Sequence, residues 1–70
     1  MRKDKQKPML KLMYQRKKAG LTQEELAEKV DLKKMTIHYY EKGSRVPNAH
    51  ILAKLADALG CTVDDISEGA

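Results

Sequence analysis

Apolar residues recur along this chain at intervals of three and four positions, with polar and charged residues between them. This is the period of an α-helix that buries one face, and no segment shows the strict alternation of a half-buried strand. Glycine, proline and capping residues interrupt the apolar pattern at close intervals. The pattern predicts an all-α protein, a compact bundle of five helices.

The first two predicted helices meet at Gly20. The first begins near Pro8, which suits a first-turn position. The side chains on its inward face are expected to be Met9, Leu12, Met13 and Arg16. The second helix has the clearest start in the chain, because Thr22 and Glu25 have the spacing of a capping box, and it is expected to stop at Asp31. Its inward side chains are expected to be Leu26, Ala27 and Val30.

The third helix is predicted from about Lys34 to Lys42, and Gly43 ends it. Its inward side chains are expected to be Ile37, Tyr40 and Glu41. Only a few residues separate it from the second helix, and two helices joined so tightly must cross steeply, which is the geometry of a helix-turn-helix unit. Ala27 is the small residue expected where these two helices approach each other most closely.

A fourth helix is expected between Asn48, its N-terminal cap, and Gly60, which ends it. The side chains that it buries are expected to be Leu52, Leu55, Ala56 and Leu59. Beyond Gly60, Thr62 and Asp65 have the spacing to cap a short fifth helix.

The composition restricts the function classes. A chain of 70 residues without Trp or Phe allows one domain with a modest aliphatic core. A single cysteine, Cys61, excludes an internal disulfide framework, and we expect it to be a small buried residue. His38 and His50 lie on different predicted helices with no third ligand, so we expect no metal and no cofactor. No apolar stretch is long enough for a signal peptide or a membrane span, which predicts a cytoplasmic protein with no membrane partner.

Charge is distributed unevenly along the chain. Residues 1–18 carry eight Lys and Arg against a single Asp, whereas residues 48–70 carry one Lys against four carboxylates. A basic end favours a polyanionic partner. We therefore divide the chain into a basic N-terminal arm at residues 1–7 and one domain at residues 8–70, with a solvated tail as the alternative for the arm.

Three groups of residues together resemble the Cro/cI-type helix-turn-helix family of phage-repressor-like regulators. They are GLTQEELA at residues 20–27, then Ile37 with Glu41 and Gly43, then LADALG at residues 55–60. The resemblance implies a lambda-repressor-like fold in which helices two and three form the helix-turn-helix. It also implies that the helix at about residues 33–42 reads double-stranded DNA in the major groove.

The resemblance further implies roles for individual residues. The residues expected to face bases are Lys33, Lys34, Met35 and Tyr39. The residues expected to contact phosphates are Gln23, Thr36, His38, Lys42, Ser44, Arg45 and Asn48. Gln23 is also expected to support the recognition helix. Arg16 and Glu41 match a pair that ties the first helix to the third in relatives, and we expect this pair to be structural and partly buried.

Side-chain chemistry fits these roles and leaves alternatives open. Lys34 can donate to both acceptors of guanine, or it can neutralise phosphates only. Met35 can contact a thymine methyl group, or it can be an exposed side chain without a partner. Helical spacing assigns Tyr40 to the core and Tyr39 to DNA.

Two positions depart from the family pattern. Asp31 stands at the turn, where Gly is frequent, and Asp tolerates a left-handed backbone better than most residues. Lys33 stands where Ser or Thr often caps the third helix, so the start of this helix is open, and so is the choice between Lys33 and Lys34 as base reader.

We therefore predict a transcriptional regulator, a repressor, that binds its operator as a homodimer with half-sites about 34 Å apart. Val63 and Ile66 are the candidates for the dimer contact, and the alternative is that both complete the core of the monomer. The competing functions are a protein-interaction module and an antitoxin-type component with the same fold. We expect no enzyme, because the sequence has no catalytic triad or phosphate-binding glycine loop, and no effector domain for a small molecule.

Overall fold

The structure is a computed structural model that describes residues 8–67, and in that range it contains four α-helices, one 3₁₀ turn and no strand. The elements are α1 (Leu10–Lys18), α2 (Gln23–Lys29), α3 (Lys34–Lys42), α4 (Ala49–Leu59) and the 3₁₀ turn Val63–Asp65. The all-α prediction is confirmed, whereas the count of five helices is wrong. The predicted arm at residues 1–7 lies outside the described residues. No described helix is long and apolar enough to cross a membrane.

Side-chain caps determine where α2 and α4 begin. In α2 the hydroxyl of Thr22 accepts from the N–H of Glu25 at 3.0 Å, and the carboxylate of Glu25 accepts from the N–H of Thr22 at 2.8 Å. In α4 the side chain of Asn48 accepts from the N–H of Ile51 at 2.9 Å. Each cap of this kind stabilises a helix by about 1 kcal/mol. Both helices therefore start where the sequence predicts.

The predicted fifth helix is a single turn. Its capping box is present, because the N–H of Asp65 donates to the hydroxyl of Thr62 at 3.2 Å and the N–H of Thr62 donates to the carboxylate of Asp65 at 3.0 Å. Only three residues, Val63–Asp65, follow this cap in a helical conformation. So short a segment cannot recover the free energy that the nucleation of an α-helix costs.

One apolar core holds the elements together. Its fully buried aliphatic side chains are Leu12, Leu26, Val30, Ile37, Leu55 and Ile66. They come from α1, from α2 and its C-terminal end, from α3 and α4, and from the residue after the 3₁₀ turn, so the elements are buried against one another. Leu52, Leu59 and Cys61 were expected to be buried but are half-buried, because they lie at the margin of this core.

The position of Ile66 corrects one expectation. This side chain was a candidate for the dimer contact, but it is 0% exposed and belongs to the core of the monomer. Val63, the other candidate, is 38% exposed. A dimer contact therefore cannot use Ile66 unless the monomer core opens.

The turn between α2 and α3 is short, and one of its residues has a left-handed backbone conformation. Asp31 has a φ of +60°, as expected for a residue that replaces Gly at this turn. The N–H of Leu32 donates to the carbonyl oxygen of Ala27 at 2.8 Å, which closes the turn. Ala27 is 2% exposed, and its small side chain lets the two helices cross closely. Helices α2 and α3 therefore form the predicted helix-turn-helix unit.

Candidate nucleic-acid interface

Helix α3 buries one face and presents the other to solvent. Its buried side chains are Ile37, Tyr40 and Glu41, as predicted. On the opposite face Lys33 and Lys34 are exposed and Met35 is 50% exposed. Tyr39 is half-buried, so the two adjacent tyrosines differ in burial in the predicted sense. The N-terminal end of α3 thus offers two cations and one apolar side chain on a single surface.

The start of α3 has no side-chain cap. Lys33 occupies the N-cap position with an extended backbone, and its side chain accepts no hydrogen bond from the first turn. The N–H of Thr36 donates instead to the carbonyl oxygen of Lys33 at 2.9 Å. The helix still begins at Lys34, as the sequence predicts, because Ile37 in its first turn is fully buried.

A shallow cleft of about 190 Å³ lies between α1, α2 and α3 beside this surface. The residues that line it are Met13, Gln23, His38, Glu41 and Lys42. Gln23, His38 and Lys42 are three of the predicted phosphate-contacting residues, and the fold brings them to one place. Thr36, another of these residues, is half-buried on α3.

The loop after α3 is folded back onto Tyr39. The N–H groups of Gly43 and Ser44 donate to the carbonyl oxygen of Tyr39 at 2.9 Å each, and that of Arg45 donates to it at 3.4 Å. Gly43 has a φ of +93°, the left-handed conformation that ends α3. The side chains of Lys42 and Arg45 are exposed, so the C-terminal end of α3 also carries cations.

Aromatic and cap contacts involve two more of the predicted phosphate-contacting residues. The guanidinium carbon of Arg45 lies 5.4 Å from the ring centroid of Tyr39. The side-chain oxygen of Asn48 is committed to the cap of α4. The cap leaves the amide NH2 of Asn48, the only donor of this side chain, without a part in the cap.

Arg16, Glu41 and Gln23 form a hydrogen-bond network beneath α3. Nε of Arg16 donates to Oε2 of Glu41 at 2.6 Å, and Nη2 donates to Oε1 at 3.1 Å. The side-chain amide of Gln23 donates to the same Oε1 at 3.0 Å. Nη1 of Arg16 donates to the carbonyl oxygen of Leu21 at 2.8 Å, and the N–H of Met9 donates to the carbonyl oxygen of Glu41 at 3.1 Å. Arg16 is 8% exposed and Glu41 is 5% exposed, so the expected ion pair is present and buried.

The partners in two contacts were not predicted from the sequence. The resemblance implied that Gln23 supports the recognition helix, but its partner Glu41 is 18 residues away on a different helix, and no helical period relates such positions. Tyr39 and Arg45 come together because the left-handed backbone at Gly43 turns the loop back over the end of α3. Gly43 was the available signal for the second contact, since a glycine that ends a helix also reverses the chain there.

Ionisable groups in the described range form no metal site, because no group of three or more His, Cys, Asp and Glu side chains is close enough together to hold an ion. Among the described residues, the pKa values of two groups depart from their ordinary range. Hydrogen bonds from the backbone and hydroxyl of Thr62 lower the pKa of Asp65, and burial raises the pKa of the Cys61 thiol. Neither residue is on α3.

The sequence matches the helix-turn-helix family over residues 12–66. An uncharacterized HTH-type transcriptional regulator of Archaeoglobus fulgidus is 39% identical over 51 residues, which make up 73% of each chain. Multiprotein-bridging factor 1 of Candida albicans is 51% identical over 45 residues, which make up 64% of this chain and 30% of that protein. The chain therefore spans less than a third of the bridging factor that it matches.

One of the solved structures that the fold resembles is the crystal structure of the clp gene regulator ClgR from C. glutamicum. The two superpose with a TM-score of 0.75 at 30% sequence identity, over 80% of this chain and 73% of that chain. The similarity therefore extends to the arrangement of the helices as well as to the sequence.

Proposed function

The chain belongs to the Cro/cI-like helix-turn-helix family, and from this membership we propose that it binds double-stranded DNA sequence-specifically and regulates transcription. Helix α3 is the recognition helix and enters the major groove, as the second helix of such a unit does. The observation that carries the proposal is the exposed surface at the start of α3, formed by Lys33, Lys34 and Met35. A cationic helix end with an apolar neighbour suits a groove lined by acceptors and methyl groups.

The residues at this end of α3 read bases. Lys34 donates to O6 and N7 of guanine, and Met35 contacts a thymine methyl group. Lys33, at the N-cap, is the second candidate for a base contact. Specificity comes from these contacts, because phosphate contacts orient a protein on the duplex and carry no sequence information directly.

Phosphates are bound around this helix. Gln23, His38 and Lys42 line the cleft between α1, α2 and α3, and Arg45 extends the same cationic surface beyond the end of α3. The remaining candidates for phosphate contacts are Thr36, Ser44 and Asn48. Each phosphate neutralised by a cation releases counterions and makes binding depend more steeply on salt.

We further propose that the chain acts as a homodimeric repressor on a two-fold symmetric operator. One helix-turn-helix unit spans only a half-site, and two units about 34 Å apart along the duplex read a full site. Among the earlier dimer candidates only Val63 remains on the surface of the monomer. Sedimentation of the protein with and without a selected duplex measures the number of chains bound.

Selection from random oligonucleotides tests the function. Wild-type protein is expected to enrich one short motif, and Lys34→Ala is expected to weaken binding to it by about 1–3 kcal/mol and to relax selection at one base pair. Lys29→Ala, which removes an exposed lysine on α2 outside the interface, is the matched control and should change neither. Equally weak binding to all duplexes would contradict the proposal.

The second candidate function is a protein-bridging role in transcription. The observation in its favour is the 51% identity to multiprotein-bridging factor 1 over 45 residues. The two candidates differ in what α3 contacts. If Lys34→Ala leaves DNA binding unchanged but abolishes binding to a transcription protein, the bridging role is favoured over sequence-specific DNA binding.

A further inference from the structure

We propose that Tyr39 is a positioning residue, whose ring holds the guanidinium group of Arg45 in place for contact with a DNA phosphate. This inference rests on the proposed function and deepens it. It replaces the base-reading role that the sequence suggests for Tyr39 with a role exerted through Arg45.

The first support is the geometry of the two side chains. The guanidinium carbon of Arg45 lies 5.4 Å from the ring centroid of Tyr39, within the distance at which a cation is attracted to an aromatic face. The ring of Tyr39 is half-buried, and the ring of His38 lies 6.0 Å from it at a tilt of 53°. The tyrosine ring is therefore restrained by its surroundings, whereas Arg45 is exposed.

The second support is the main chain of the loop. The carbonyl oxygen of Tyr39 accepts from the N–H groups of Gly43, Ser44 and Arg45, so the backbone of this loop is held to α3 without help from the ring. A change of the Tyr39 side chain therefore leaves the loop in place and alters only how the Arg45 side chain is held. The contribution of the ring to DNA binding can therefore be measured separately from that of the loop backbone.

The third support is the state of the guanidinium group. No carboxylate in the described range 8–67 forms an ion pair with Arg45, so its N–H groups remain available to an outside anion. A guanidinium group that stacks on a ring keeps its N–H edge free, and this edge matches two oxygens of a phosphate. Because the stack already restricts the flexible arginine side chain, less conformational entropy is lost when the phosphate binds.

The test measures binding of the full chain to its selected duplex and its salt dependence. Tyr39→Leu removes the ring but keeps apolar bulk, and we expect it to weaken binding about two- to five-fold, the worth of one exposed cation–π contact. Tyr39→Phe keeps the ring and is expected to retain most of the affinity. In an Arg45→Ala background, Tyr39→Leu is expected to cause no further loss, because the group that it positions is gone.

Tyr14→Leu is the matched control. Tyr14 on α1 is 62% exposed, and the ammonium group of Lys18 lies 5.9 Å from its ring centroid, so this variant removes a similar pair outside the interface. It should leave DNA affinity unchanged. A loss for Tyr39→Leu that is equally large with and without Arg45, or that is confined to one base pair, would overturn the positioning role.

A measurement without DNA separates this inference from the proposed function. NMR should show the guanidinium Nε–H proton of Arg45 shifted by the tyrosine ring, with the shift kept in Tyr39→Phe and lost in Tyr39→Leu. Absence of this shift would mean that the guanidinium group of Arg45 does not stack on the ring of Tyr39. If the shift is present but the protein selects no DNA sequence, the proposed function fails, and the role assigned to the stack fails with it.

Discussion

At the residue scale, Glu41 connects the buried core to the candidate interface. One of its carboxylate oxygens, Oε1, accepts hydrogen bonds from both Arg16 and Gln23. A buried carboxylate is tolerated only when its charge is paired and its oxygens are bonded, and Arg16 supplies two of these bonds. Gln23 then has its amide group held at the edge of the cleft, and in the proposed function its second N–H donates to a phosphate.

The first prediction concerns this ion pair. Arg16→Ala should lower the free energy of unfolding by about 3–5 kcal/mol, because it leaves the Glu41 carboxylate buried without a counter-charge. Urea denaturation followed by circular dichroism measures the loss. Lys17→Ala changes the next residue of α1, which is exposed, and should cost less than about 0.5 kcal/mol. Similar losses in the two variants would mean that the ion pair stabilises the fold no more than an exposed lysine does.

The second prediction concerns the left-handed residue Asp31, whose φ is +60°. Asp31→Gly should be more stable than Asp31→Ala by about 1–2 kcal/mol, because Ala is strained in this conformation and Gly is not. Thermal melts of the two variants measure the difference. Ala53→Gly, at an exposed position inside α4, should show the opposite preference and lose about 1 kcal/mol. The same preference at both positions would contradict the argument from backbone conformation.

At the element scale, α2 and α4 are the helices that the sequence predicts best. Their starts depend on hydrogen bonds between residues three positions apart, as between Thr22 and Glu25, and such local chemistry is visible in the sequence. The same signal at Thr62 and Asp65 led to a predicted fifth helix that is only a turn. A cap marks where a helix can begin, whereas its length depends on how much of it packs against the core.

The candidate site was predictable only in part, as far as it depends on local sequence. Helical spacing identified the outward positions of α3, because burial of Ile37 and Tyr40 determines which way the helix faces. The resemblance implied that Gln23 supports α3, but its partner Glu41 was not predictable, since the hydrogen bond depends on how α2 and α3 cross. Contacts between distant segments arise from tertiary packing, and a single sequence carries no direct signal for them.

The third prediction concerns the uncapped start of α3. Lys33→Ser should raise the free energy of unfolding by about 0.5–2 kcal/mol, because a serine hydroxyl at the N-cap can accept an N–H that Lys33 leaves without a side-chain partner. The same variant should bind DNA more weakly. Lys29→Ser removes another exposed lysine, at the last position of α2 rather than at an N-cap, and should show no gain in stability. If Lys33→Ser is more stable and binds DNA as tightly as the wild type, Lys33 is not needed for binding.

The fourth prediction is a pH dependence of the 3₁₀ turn. The pKa of Asp65 is lowered in the folded state by the backbone and hydroxyl of Thr62, so the turn is stabilised while Asp65 is ionised. This stabilisation is fully present above the pKa of Asp65 in the unfolded chain and is lost as the pH falls through the lowered folded value. NMR titration of the Asp65 carboxyl carbon measures it. In Thr62→Ala the pKa should move back toward its ordinary value, and an unchanged pKa would exclude the hydroxyl as a cause.

At the scale of the whole molecule, cations stand at both ends of α3. Lys33 and Lys34 are exposed at its start, and Lys42 and Arg45 are exposed at its end. The sequence also places cations at residues 1–7, outside the described range. In the proposed function Lys42 and Arg45 contact phosphates, and the strength of such contacts depends on salt.

The fifth prediction uses this salt dependence. Lys42→Ala should reduce the slope of log affinity against log salt by about 0.9, the contribution of one phosphate, and should weaken binding to all duplexes alike. Fluorescence anisotropy at several salt concentrations measures the slope. Lys29→Ala is the control and should leave it unchanged. Deletion of residues 2–7 applies the same measurement to the predicted arm, and an unchanged slope would exclude the arm from the interface.

The two attachments of Glu41 to α1 have a consequence for how the molecule opens. Its carbonyl oxygen accepts from the N–H of Met9, and its carboxylate accepts from Arg16, so α1 is fastened to α3 at two points more than a helical turn apart. Detachment of α1 breaks both contacts and so also releases the end of α3. Amide hydrogen exchange should therefore report α1 and α3 as one cooperative unit, and DNA bound at α3 should slow exchange in both by the same factor.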